Sequence, residues 1–221
     1  MTESDWATST GPQAMLSFLR DRGPVSERKL RLFAVACCHR MTRRLTGKAG
    51  RRALLTAERY ADGLLPATRL YGAWFAARRT ATVAQVRGLW EPLRTAKWAV
   101  SEVCEADVAL ALRAVARVAG AEVSGNDPAR MSDTLSSQVV LLRDIFGDPF
   151  RPLPFHSEWR SEVVVAVGRG IYRERAWKRL PELADALENA GCADGTVLNH
   201  CRGAGPHRRG CWVVDMVLGK T

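Results

Sequence analysis

Five residues near the C-terminal end have the types and spacing to hold a metal ion: Cys192, His200, Cys201, His207 and Cys211, in the order C-x7-H-C-x5-H-x3-C. Thiolate and imidazole are the donors zinc prefers, and a closed tetrahedral set of them can staple a small helical unit. If the last helix began at His207, His207 and Cys211 would lie one turn apart on the same face. His200 and Cys201 are adjacent, and neighbours on a helix diverge by about 100°, so only one of the two would ligate. The zinc set on this reading is Cys192, Cys201, His207 and Cys211. Against it, no C-x2-C knuckle is present. Buried free cysteine packs as a small hydrophobe, and histidine often caps a helix or bonds a carboxylate. Packed thiols are therefore the preferred expectation, structural zinc is the alternative, and no other cofactor is expected.

Other chemistry is sparse. Cys37 and Cys38 fall on the apolar stripe of a helix, which suits packing. His156-Ser157-Glu158 has the H-x-E of a zinc deaminase without its P-C-x-x-C partner. Gly168-Arg169-Gly170 lacks the third glycine and the preceding strand of a dinucleotide fingerprint. Walker A, H-E-x-x-H and G-x-S-x-G motifs are absent from the sequence. Asp185 and Asp215 sit in largely apolar helical stretches, and each needs an arginine or a set of N–H groups; Arg202, Arg208 and Arg209 are near in sequence. No catalytic residue is assigned, and a binding role is preferred to an enzymatic one. The remaining feature is a basic run, Arg40, Arg43, Arg44, Lys48, Arg51 and Arg52. Six cations so close could contact phosphates, although no aromatic ladder accompanies them for stacking bases.

The elements that carry these residues read as helix after helix. Pro12 suits a first helical position. Ser26 can cap a helix with Leu30, Phe33, Ala34, Cys37, Cys38 and Met41 inward and Arg28, Lys29, Arg31 and Arg43 on a basic back. Helices follow over 53–61 and from Pro66, with less regular patterning at 80–83. Leu93, Ala96, Val100, Val103, Cys104, Val108, Ala111, Val115 and Val118 predict one continuous helix of about seven turns. After the polar stretch Ser124-Gly125-Asn126, Asp127 and Pro128 start a helix that Gly147 ends. Three prolines between 148 and 156 force an extended strap. Val163–Val167 is read as helix rather than strand. Three short helices close the chain, from Pro181, over 196–201 and over 209–218. The fold class is all-α: an irregular multi-helix bundle (1–147) with a compact C-terminal three-helix unit (148–221) packed on it or continuous with it.

The chain has 221 residues, 47% of them hydrophobic and 25% charged, which is an ordinary globular composition. No apolar run reaches the roughly 18 residues of a membrane helix, and the first residues are acidic and polar, unlike a signal peptide. A cytoplasmic protein with reduced thiols is expected. The net charge of +10 is uneven: +9 lies within residues 1–80, −1 within 81–145 and +2 within 146–221. An arginine-rich composition explains part of that excess, and a local anion-binding patch is the alternative.

The phrases Leu142-Arg143-Asp144-Ile145-Phe146-Gly147 with Pro149-Phe150-Arg151-Pro152, Leu183-Ala184-Asp185-Ala186-Leu187-Glu188 with Ala190-Gly191-Cys192, and His200-Cys201-Arg202 with His207-Arg208-Arg209-Gly210-Cys211-Trp212-Val213-Val214-Asp215 resemble a family of planctomycete helical proteins. So do Arg28–Ala34 with Cys37-Cys38, and Glu58–Gly63. The likeness covers both ends of the chain and is weakest over about 65–125. His39 stands where the pattern has arginine. The family has no assigned activity, so the resemblance implies kinship and no reaction.

Two functions remain. One is a non-catalytic helical module that binds a protein partner, consistent with the missing catalytic motifs and with seven tryptophans against three tyrosines. The other is nucleic-acid binding through the basic run at 40–52.

Overall fold

The computed structural model describes residues 1–45, 47–122, 128–153 and 156–220, and for 41–45, 119–122 and 128 the backbone alone. The described residues form helices, turns and loops with no strand, so the fold is all-α as expected. No helix among them is long and apolar enough to cross a membrane. The polar stretch 124–126 and the Asp127 cap lie outside the described residues. The chain divides into two compact units, Met1–Val139 and Val140–Thr221. The division falls within a helix, several residues before Gly147, where the sequence reading placed it.

The N-terminal unit contains α1 (Glu3–Thr8), α2 (Pro12–Asp21), α3 (Glu27–Leu45), α4 (Gly47–Ala61), α5 (Ala67–Val86), α6 (Glu91–Glu102), α7 (Val108–Ala111), α8 (Arg113–Glu122) and most of α9 (Pro128–Phe146). Thr2 and Asp5 form a reciprocal capping box that starts α1. Ser26 Oγ accepts the Lys29 N–H at the start of α3. α3 runs through the middle of the unit, against α4, α6, α7 and α8. Its residues from Leu30 to Cys38 are all buried, including both adjacent cysteines. Each large apolar side chain so buried contributes about 1.5–3 kcal/mol. α5 continues unbroken through 80–83, because Ala77, Ala81 and Ala84 carry the inward stripe there.

Two expectations are corrected. The seven-turn helix is instead α6, a turn, α7 and α8, and α6 packs against α8. Arg31, expected on the solvent-facing back of α3, is buried. The two corrections have one cause. The Arg31 guanidinium donates to the carbonyls of Val103 (2.9 Å), Glu105 (2.6 Å) and Ala106 (2.8 Å), which leave the end of α6 without helical partners. It also lies 5.2 Å from the centre of the Tyr60 ring. Asp107 then caps α7 by accepting the Ala109 N–H at 2.7 Å.

The C-terminal unit holds the end of α9, α10 (Glu162–Glu174), α11 (Leu180–Asn189), α12 (Gly195–Arg202) and α13 (Trp212–Leu218), with 3-10 turns at Ser157–Trp159 and Trp177–Arg179. The segment expected as an extended strap is non-helical but opens with a turn in which the Arg151 N–H bonds the Asp148 carbonyl, and 154–155 lie outside the described residues. Ser161 caps α10, so Val163–Val167 is helical as read. The core gathers Val164, Ile171, Leu180, Leu183, Leu187 and Val197 with Cys192 and Cys201. Asp185 pairs with Arg202 at 3.1 Å as expected, but on the surface, where the carboxylate is exposed and burial does not require the partner.

Replacing Arg31 with alanine orphans three carbonyls, two of them held by charge-assisted bonds shorter than 2.9 Å. Arg31→Ala is expected to cost about 3 kcal/mol of stability. Urea unfolding followed by circular dichroism checks this, and a loss under about 0.5 kcal/mol would contradict the capping role.

Candidate functional site

The C-terminal unit collects its polar chemistry around one carboxylate. Asp144 lies in the last turn of α9 and is buried. Gly147 ends that helix with φ of 69°, its N–H bonded to the Arg143 carbonyl, and the Trp212 ring rests against it. Asp194 caps α12 by accepting the N–H groups of Thr196 and Val197. α12 then carries His200 toward Asp144. The loop from Gly203 to Gly210 returns over the site and delivers His207 and Cys211.

Asp144 Oδ1 accepts from His207 Nδ1 at 2.8 Å and lies 3.3 Å from His200 Nε2. Asp144 Oδ2 accepts the Arg208 backbone N–H at 2.9 Å. Burial alone would raise the Asp144 carboxyl, but hydrogen bonds from His200 and His207 and their charge hold it below the usual value. The other ring nitrogen of His207, Nε2, faces the Gly203 carbonyl at 3.3 Å. Both nitrogens of His207 thus point at acceptors, which favours the imidazolium. Burial pulls its pKa down, and the bond to Asp144, that carboxylate's charge and the Gly203 carbonyl more than offset this, so it is raised.

His200 differs. Trp212 Nε1–H donates to His200 Nδ1 at 3.1 Å. Indole nitrogen can only donate, so the neutral ring carries its proton on Nε2, 3.2 Å from Cys211 Sγ. Burial and then the Asp144 charge push the Cys211 thiol well up, against opposing bonds from the Val214 and Val213 N–H groups. Cys211 is fully buried and protonated, so it is not a solvent-facing nucleophile. A cavity of about 210 Å³ opens beside the cluster, lined in part by Val140, Asn199, Gly205 and Pro206.

The structure brings together His207 and Cys211 from the sequence-derived set and joins them with His200 and Asp144; one ligand atom of each lies within 4.8 Å of the others. Cys192 and Cys201 lie instead in the apolar core, and burial pushes the Cys201 thiol to about 12. The last helix starts at Trp212, so His207 and Cys211 are not one helical turn apart. They meet because the intervening loop folds back. Asp144 carried no sequence signal, standing alone in Leu142-Arg143-Asp144-Ile145 as an ordinary helical carboxylate.

The second candidate lies in the N-terminal unit. Of the basic run, Arg40 and Arg51 are exposed, and the side chains of Arg43 and Arg44 lie outside the described residues. Lys48 and Arg52 line a groove of about 850 Å³ between α4 and α5, together with Arg59 and Arg69, which the sequence reading missed. Lys48, Arg52 and Arg59 follow the helical repeat along one face of α4. The groove has no acidic lining residue, and its floor is small and apolar: Ala49, Ala53, Gly72, Ala73 and Ala76. Beyond it α5 exposes Phe75, Val83 and Val86. The thiols of Cys37 and Cys38 are buried nearby in sequence, and His39 bonds Glu58 at 2.9 Å.

Compared with protein-family models, curated proteins and solved structures, the chain matches none.

The Asp144–His207 pair gives stability a pH signature when divalent cations are chelated. His207 has a raised folded pKa, so its contribution is whole below about 6.5 and fades as pH climbs through the raised value. Asp144 has a lowered one, so its contribution is whole above about 3.9 and fades as pH falls through the lowered value. His207→Ala is expected to cost about 3 kcal/mol near pH 5 and clearly less near pH 9 in urea unfolding; an equal penalty at both would count against the ion pair.

Gly205 has φ of 58°, and a Cβ there would collide with the His207 ring. Gly205→Ala is therefore expected to destabilise the chain by more than about 1 kcal/mol and to shift the His207 ring resonances in NMR spectra.

Proposed function

We propose that this protein is a non-catalytic docking module whose N-terminal unit takes an acidic amphipathic helix of a partner protein into the α4–α5 groove. One observation carries the reading: Lys48, Arg52, Arg59 and Arg69 converge on a groove with no carboxylate in its lining and a floor of alanine and glycine. None of these four cations has an ion-pair or hydrogen-bond partner for its charge among the described residues. Small floor residues let a third helix approach closely, at the 8–10 Å axis separation of packed helices (~9 Å). Cations on the rim complement glutamates flanking that helix's apolar stripe. Phe75, Val83 and Val86, exposed on α5, extend the contact surface. The buried, protonated state of Cys211 and the internally paired histidines support the absence of a catalytic role for the C-terminal cluster.

Nucleic acid is the competing occupant, because the same cations and the exposed Arg51 could meet phosphates. No aromatic side chain lines the groove to stack a base, which favours the helix. Fluorescence anisotropy separates the two, with a labelled helix-forming peptide bearing leucines on one face and glutamates beside them, run against a duplex oligonucleotide at physiological ionic strength. The peptide is expected to bind tighter than the duplex. Arg52→Glu with Arg59→Glu should weaken it at least tenfold, while Arg51→Glu, outside the groove, changes it less than twofold. Tighter duplex binding that falls steeply with salt and is lost equally in Arg51→Glu would replace this reading with the nucleic-acid one.

A further inference from the structure

The docking groove leaves the Asp144–His200–His207–Cys211 cluster without a role, although a donor from α9 meets three from residues 200–211 in one place. We propose that these four side chains bind one zinc ion, with Asp144 Oδ1, His200 Nε2, His207 Nδ1 and Cys211 Sγ as its ligands.

The donor set comes first. One carboxylate oxygen, two imidazole nitrogens and one thiolate are the mixed hard and soft donors that suit zinc. All four atoms lie within 4.8 Å of one another; ligands at about 2.0–2.3 Å around a tetrahedral ion are about 3.3–3.8 Å apart, so binding draws the widest pair inward by about 1 Å.

The outer shell comes second. A ligating histidine generally donates its other N–H to a carbonyl or carboxylate. His207 does so: with Nδ1 on the ion, Nε2–H points at the Gly203 carbonyl at 3.3 Å. A ligating carboxylate is generally held by its second oxygen, and Asp144 Oδ2 accepts the Arg208 N–H. The contacts that now join the four side chains, His207 to Asp144 at 2.8 Å, His200 to Asp144 at 3.3 Å and His200 to Cys211 at 3.2 Å, all converge on the same small space. The protons there are what a dication would displace. The cavity beside the cluster supplies an entry path.

His200 adds a constraint. Trp212 donates to its Nδ1, which keeps the ring proton on Nε2. To ligate through Nε2, the neutral ring moves that proton to Nδ1, and the Trp212 contact breaks. Trp212 therefore opposes binding. Removing its N–H strengthens the affinity, an effect that a merely structural tryptophan would not produce.

The test uses the full chain. Protein purified without chelator is analysed for metals, and chelator-stripped protein is titrated with zinc chloride or cobalt chloride alone. About one equivalent of zinc is expected. Cobalt should give a thiolate-to-metal charge-transfer band and the visible absorption of a tetrahedral site. Cys211→Ser should abolish the charge-transfer band, while Cys201→Ser, a core thiol outside the cluster, should retain it. Trp212→Phe should bind zinc at least threefold tighter, and His207→Ala at least a hundredfold weaker. Less than a tenth of an equivalent of zinc together with no cobalt band in the wild-type chain overturns the proposal. So does a charge-transfer band that survives Cys211→Ser. The readouts do not involve peptide binding, so failure of the docking reading leaves them unaffected.

Discussion

The C-terminal unit is organised by the burial of a single carboxylate. Asp144 sits at the end of a helix whose neighbours Leu141, Leu142 and Ile145 are packed, so its side chain cannot reach bulk water. An ionised carboxylate in that position is tolerable only with a full set of donors. The protein supplies His207, His200 and the Arg208 N–H. His200 comes from α12, which has an apolar side of its own, whereas His207 and the Arg208 N–H come from a loop that has little. The loop Gly203-Ala204-Gly205-Pro206 offers almost nothing to a hydrophobic core, and the polar network holds it where packing would not. A fully satisfied buried network also fixes one arrangement, which is why a glycine at 205 is required under the His207 ring.

The N-terminal unit answers the same problem with the opposite charge. Arg31 projects from the buried helix α3 onto carbonyls that follow the end of α6 and lack helical partners. Its three bonds turn the chain between α6 and α7 and allow α8 to fold back on α6. α5 and α6 then pack together, and α4 and α5 meet along the groove. The groove is lined by residues of α4, α5 and the loop between them, with alanine and glycine on its floor.

How far these features were legible in the sequence depends on how local their causes are. Pro12, Ser26 and Gly147 are local signals, and the elements they bound follow the reading. α13 starts three residues later than read, because the loop feeding it is held by Asp144 rather than by helical bonds. The break after α6 contains neither glycine nor proline. Its cause is an arginine more than seventy positions earlier, which the amphipathic pattern assigned to solvent. The cluster divides in the same way. His207 and Cys211 were visible as chemistry. The choice between His200 and Cys201 turned on which way α12 faces, and its apolar side, with Val197 and Leu198, takes Cys201 inward. Asp144 could not be found, since a carboxylate near a helix end is ordinary until its donors arrive from the far end of the chain.

The net charge of +10 acquires meaning only when each charge is asked whether it has an internal partner. In the C-terminal cluster every charge is answered from within: the imidazolium of His207 by Asp144, and Asp144 by three donors. Such a network gains nothing from an incoming peptide or phosphate. A more concentrated positive charge than the protons it already holds, as the proposed zinc ion would be, is what such a site could accept. Along α4 the situation is reversed. Lys48, Arg52 and Arg59 repeat on one face beside Arg69, with no carboxylate in the groove they line. Their mutual repulsion is a cost the folded unit carries alone, and an anionic surface seated in the groove relieves it. The cluster in the C-terminal unit thus has its charges met from within, while the cations along α4 line a groove that holds no carboxylate.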